Sequence, residues 1–229
     1  MRKHLIWSLG LALALMVTGV AWANGTQSLS WGIKPHKLSK TTYRPVKLTV
    51  SAELSPQAPQ PSDQPTAHVK LDFPRAIRFN ARWIGHCAKR TIMNGGFCPS
   101  SDIVGRGISR VYGPRGNYLL PLLTLYNGRT SQKGTPTVIL QGEFPPNSGV
   151  IVGTFSKKTG GTLDIKFPRF AGGRAVMTSF TFTFTKPGYA SARCAATTLT
   201  LKSVFTYTAS GSASASTQSP SATIRCRQT

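Results

Sequence analysis

Proton-exchanging side chains are scarce after residue 23 of this chain. Three histidines (His36, His68, His86) and six carboxylates (Glu53, Asp63, Asp72, Asp102, Glu143, Asp164) make up the whole inventory. A glycosidase needs two carboxyls across one cleft, one to give a proton and one to attack or to activate water. Glu143 and Asp164 both fall in strand-like stretches and are the pair that could meet in this way. Their plainer reading is as exposed charges that balance nearby Lys and Arg. A Cys-His enzyme needs a free thiol, which the even cysteine count argues against. Serine is abundant, yet no G-x-S-x-G elbow occurs, and no glycine-rich loop opens a helix to cradle phosphate. The inventory points to a protein without catalytic activity and without a cofactor.

Cys87, Cys98, Cys194 and Cys226 are the four cysteines. An even count in an exported chain reads as two disulfides, and three pairings are open. Local closure favours Cys87–Cys98 and Cys194–Cys226, because nearby ends meet more readily. On a loop-entropy model these contribute about 3 and about 3.5 kcal/mol. The chain has no C-x-x-C pair, and His86 beside Cys87 is not a spacing used by structural zinc sites. No metal is expected.

Binding chemistry is better represented. Residues 80–101 carry Arg82, Trp83, Lys89 and Arg90 around the first cysteine pair. A disulfide-closed loop on a rigid scaffold is a common carrier of recognition, with Trp83 as its anchor. The plainer reading has Trp83 plug one end of the fold. Tyr112, Arg115, Tyr118 and Tyr126 interleave rings and cations in a second segment, although strand packing accounts for most of those rings.

Export is written into the N-terminus. Arg2, Lys3 and His4 precede the apolar run from Leu5 to Val20, and Ala21-Trp22-Ala23 reads as a cleavage site. The 16-residue run falls short of the roughly 20 residues of a membrane span. No comparable run follows, so no transmembrane segment is expected after cleavage. Removing 23 of 229 residues leaves 206, enough for one all-β domain with its own core. Taking Arg2 and Lys3 from the formal +22 leaves +20 on the exported part. Such a surplus favours encounter with polyanions. In an exported protein these are anionic envelope polymers, acidic lipid headgroups, acidic polysaccharides and, last, extracellular DNA; the plainer reading is that the charge serves solubility alone. The basic residues are dispersed, with no basic helix or Arg-rich block, so dedicated nucleic-acid binding is not expected. Asn24-Gly25-Thr26 matches the glycosylation tripeptide, a pattern frequent by chance.

Period-two alternation sets the scaffold. Phe180, Phe182 and Phe184 alternate with Thr181, Thr183 and Thr185, which describes a half-buried strand. Leu199, Leu201, Phe205 and Tyr207 repeat the pattern, as do Val46, Leu48 and Val50, and Val69, Leu71 and Phe73. Further strands are expected over 103–112, 119–126, 136–143, 150–155 and 162–167, with Pro121 marking an edge or a bulge. Gly95-Gly96, Asn127-Gly128, Pro145-Pro146-Asn147, Gly160-Gly161 and Gly172-Gly173 supply the turns between them. About ten antiparallel strands with little helix predict a β-sandwich, with an open barrel as the alternative. One domain spans 24–229, with a proline-rich loop at 56–65 and a Ser/Ala-rich hairpin or loop at 209–222.

The order of several short motifs resembles a group of uncharacterised exported proteins of high-GC Gram-positive bacteria, β-rich and cysteine-paired. The motifs are the basic, proline-containing approach to the L-T-V strand at Leu48-Thr49-Val50, and Cys87 followed by Cys98-Pro99-Ser100-Ser101 and Val104-Gly105-Arg106-Gly107. They continue with the strand end from Leu123 to Gly128, Phe167-Pro168-Arg169-Phe170-Ala171-Gly172-Gly173 before Thr178-Ser179-Phe180, and Phe205-Thr206-Tyr207 before the terminal Cys226. The resemblance implies the fold and the paired cysteines; it carries over no activity and no functional residue. The expectation is a secreted, extracellular, wall-associated domain that binds or builds rather than catalyses, engaging anionic polymers. Its rivals are a glycan-active hydrolase using Glu143 and Asp164, and an inhibitor or adhesin presenting residues 80–101.

Overall fold

The computed structural model describes residues 27–54, 65–113, 115–130, 135–144, 147–167, 175–208 and 215–229. The leader, the Asn24 tripeptide, Pro145-Pro146, Gly172-Gly173 and nearly all of 56–65 lie outside the described residues, as does 209–214.

Strands dominate. In chain order they are β1 (Leu29–Lys34), β2 (Lys37–Leu38), β3 (Arg44–Pro45), β4 (Lys47–Glu53), β5 (Thr66–Asp72) and β6 (Ile77–Phe79). Next come β7 (Ile103–Tyr112), β8 (Tyr118–Leu119), β9 (Leu122–Asn127), β10 (Thr137–Phe144), β11 (Asn147–Phe155) and β12 (Thr162–Lys166). The last six are β13 (Val176–Phe184), β14 (Ala190–Ala192), β15 (Thr198–Tyr207), β16 (Ser216–Gln218), β17 (Ser221–Arg225) and β18 (Arg227–Gln228). One short helix, α1 (Lys89–Met93), and two 3-10 turns, Ala81–Trp83 and Ser100–Asp102, interrupt them.

Thirteen strands form one curled antiparallel sheet in the order β1-β4-β13-β7-β9-β10-β11-β12-β5-β15-β16, with β8 beside β7 and β17 beside β15. Its two ends approach each other: the Trp31 indole N–H donates to the Ala222 carbonyl of β17 at 2.9 Å. The all-β antiparallel expectation holds, and the sheet is a half-barrel rather than two separate layers. The remaining strands make a three-stranded sheet, β3-β14-β6, and a parallel pair, β18 with β2.

The alternation read from sequence sets the two faces. Phe180, Phe182 and Phe184 on β13 are buried, while on the opposite face Thr183 meets the Thr49 hydroxyl at 2.9 Å and Thr181 donates to Ser51 at 2.9 Å. Leu199, Leu201, Phe205 and Tyr207, Val46, Leu48 and Val50, and Val69, Leu71 and Phe73 are buried as well. Phe73, Phe79, Phe155, Phe184 and Tyr189 pack ring against ring, with neighbouring centroids 4.2–6.4 Å apart. Each fully buried ring is worth about 2–3 kcal/mol of transfer free energy, so β13 is the spine of the core. Pro121 does break its stretch, separating β8 from β9. The described part of the Ser/Ala-rich segment, 215–222, folds back through β16 and the start of β17 onto β15.

Candidate functional site

All helical turns of the described chain lie in residues 80–102, and together they build one loop on the outer face of the sheet. Cys87–Cys98 closes it and Cys194–Cys226 ties the C-terminal strands to β14, each with Cα atoms 5.6 Å apart. Two disulfides fit an oxidising compartment. Asn127 fixes the entry to the loop. Read from sequence as a turn residue, it instead ends β9, 1 % exposed. Its amide nitrogen lies 3.0 Å from the carbonyls of Ala81 and Ile84 and 3.1 Å from that of Gly85. The Asn127 carbonyl also accepts the Cys87 N–H at 2.8 Å. On the other limb, Ile92 of α1 packs with Cys87 and Ile139 over Tyr126, Val150 and Val152. Anchored at both limbs, the loop has its course set before any ligand arrives.

Its tip faces solvent. Trp83 is 85 % exposed, Phe97 96 % and Met93 63 %. The reading of Trp83 as a plug is thereby corrected: the interior is already filled by phenylalanine, and the 3-10 turn directs Ala81 inward instead. Arg82, Lys89 and Arg90 are exposed on the same loop, and the Arg82 guanidinium carbon stands 5.5 Å from the Trp83 ring centre. Sequence reasoning named Arg82, Trp83, Lys89 and Arg90. It did not assign Met93 and Phe97 to the tip, although the Gly95-Gly96 turn between them was legible.

A shallow groove of about 620 Å³ runs along the same outer face, lined by Lys70, Val152, Thr154, Phe155, Ser156, Thr162, Asp164 and Lys166. Val152 belongs to both the groove wall and the cluster beneath α1, so groove and loop adjoin. Two lysines flank the groove. Its acid, Asp164, is engaged by His68 of β5, with Nε2 2.6 Å from Oδ1.

Glu143 and Asp164 are not brought together. Glu143 lies opposite Ser148 and Asp164 opposite Thr154 on the intervening β11, six residues apart, or roughly 20 Å along the strand. The register sets Asp72 diagonally from Asp164, about 7–8 Å between Cα atoms. Asp72 accepts from the Thr162 hydroxyl at 3.2 Å and is exposed, without the apolar enclosure that makes a carboxyl a general acid. Glu143 acts instead on Tyr126: burial first, then the Glu143 charge, push that phenol above its ordinary value of 10.0, against the pull of Arg106.

Of the second ring-and-cation segment, Tyr112 and Tyr118 meet edge to face at 5.2 Å, and Arg110 caps Tyr118 at 3.9 Å. Tyr126 lies apart from them, beneath α1. His36 lends its carbonyl to the Arg227 N–H, and His86 is exposed.

Among the described residues His68–Asp164 is the one ion pair; no Lys or Arg lies within 4.0 Å of a carboxylate. No described helix is long and apolar enough to cross a membrane. No family model matches the chain, and no curated protein is similar to it.

Proposed function

We propose that the protein is a non-catalytic binding domain of the cell envelope, exported from the cytoplasm, that holds an acidic polysaccharide across loop 80–101 and the adjoining groove. The observation that carries this reading is the solvent-facing Trp83 and Phe97 on one loop with Arg82, Lys89 and Arg90, cations that no carboxylate neutralises among the described residues. A sugar ring bearing a carboxylate or an ester oxyanion presents the complement: an apolar face for the indole and a negative charge for the guanidinium. Lys70 and Lys166 extend the positive track along the groove. The fixed loop spares the complex part of its ordering cost.

The test is retention of the purified protein on heparin beads and on wall-polymer beads as salt is raised. Retention at low salt that falls as screening increases is the expected result. Absence of retention at about 10 mM salt, where charges act over roughly 30 Å, ends the proposal.

A further inference from the structure

A second group of cations gathers where the small sheet β3-β14-β6 brings three distant segments together. At its centre is Tyr43, whose hydroxyl donates to the Arg75 carbonyl at 2.6 Å. The guanidinium carbons of Arg78 and Arg193 stand 4.1 and 5.0 Å from the centre of its ring. Both limits together keep the two charges within about 9 Å of each other. Gly160, at φ +54°, lets the 156–161 turn press on Arg75, where a Cβ would stand 2.6 Å from the Arg75 Cα. That turn is held to β6 through the Lys158 carbonyl, which accepts the Phe79 N–H at 2.8 Å.

Neither guanidinium meets a charged partner among the described residues. Arg78 Nε donates to the Thr159 hydroxyl at 3.3 Å, and Arg193 Nη1 to the Thr41 carbonyl at 3.4 Å. Both acceptors are neutral, and each arginine carries five N–H donors. Arg193 Nε is buried without an acceptor, and no carboxylate comes within 4.0 Å of either side chain among the described residues. The ring face offsets part of the repulsion between two like charges without neutralising either. Positioned, under-bonded guanidinium forks are what a tetrahedral oxyanion requires.

We propose that Arg78 and Arg193, held against Tyr43, form a binding site for a phosphate or sulfate group. The site is separate from loop 80–101, shares no residue with it, and stands whether or not that loop binds polysaccharide.

Isothermal titration with sodium sulfate and with sodium phosphate, against sodium acetate at matched ionic strength, tests it. Saturable binding of both tetrahedral ions, at least about tenfold tighter than acetate, is expected. Arg78→Gln, at an exposed position, should weaken both by about tenfold or more without changing the melting temperature. Arg193→Lys keeps the charge but loses the fork and should weaken both several-fold; Trp83→Ala should leave both unchanged. No saturable binding, equal binding of acetate, or unchanged binding in Arg78→Gln would each overturn the proposal. A sulfated oligosaccharide that binds the same arginines more tightly than free sulfate assigns a polymer-borne group, and equal affinity assigns the free ion; either result supports the site.

Discussion

Replacing Trp83 by alanine separates a binding role from a structural one, because the two roles predict opposite outcomes. At 85 % exposure the fold covers about 40 Å² of an indole that offers about 250 Å². At about 25 cal/mol per Å² that is close to 1 kcal/mol, or a drop of 2–4 °C in melting temperature for a chain of this size. Stacking one ring face on a sugar would remove roughly a further 80–100 Å² from water, worth about 2–2.5 kcal/mol. Trp83→Ala should therefore weaken an acidic oligosaccharide about 30- to 60-fold while the protein stays folded. Phe182→Ala, at a position 1 % exposed, is the internal control and should cost about 3–5 kcal/mol of stability. Titration calorimetry with heparin fragments and thermal melts of the two variants give both quantities. A melting loss in Trp83→Ala comparable to that of Phe182→Ala would refute the exposure argument; unchanged affinity would refute the contact.

Three further outcomes follow from the geometry. Replacing Cys194 and Cys226 by serine should cost about 3.5 kcal/mol of global stability, and the same change at Cys87 and Cys98 about 3 kcal/mol, with polymer retention lost in the second case alone at temperatures where both remain folded. Asn127→Ala removes the donors beneath the loop entry; it should cost about 1–3 kcal/mol and reduce polymer affinity without touching any residue of the tip. Burial raises the phenols of Tyr189, Tyr207 and, with help from Glu143, Tyr126. The folded state then keeps protons that the unfolded chain sheds, so their stabilisation is complete below about pH 10 and is lost as pH rises beyond it. Tyrosinate absorbance should show Tyr189 and Tyr207 ionising only as the fold is lost; ionisation of all six tyrosines below that transition would contradict the burial.

Much of the fold was legible because its strands obey one local rule. A curled sheet buries one face, so period-two alternation survives in β4, β5, β13 and β15, and phenylalanine facing threonine reads directly as inside and outside. The sequence could not choose between two layers and one continuous sheet. That depends on which strands pair across the whole sheet, and local alternation looks alike in either case. Asn127 shows a different limit: Asn-Gly is a strong turn signal, but a buried amide can serve distant carbonyls instead. Nothing local announces that Ala81, Ile84 and Gly85 will pass beside it.

The candidate sites divide along the same line. Loop 80–101 was visible because its cysteines and charged residues are neighbours in sequence, and a disulfide separation of 11 keeps them neighbours in space. The Tyr43 cluster was not, since its arginines come from strands whose pairing is set by the core: Arg78 reaches β14 only because Ile77 and Phe79 are buried on either side of it. The core thus determines which cations are forced together. A variant that loosens β6 without altering charge, such as Ile77→Ala, should therefore weaken oxyanion binding even though Arg78 and Arg193 remain. A purely diffuse electrostatic attraction, which depends on net charge and not on register, would be left unchanged by it.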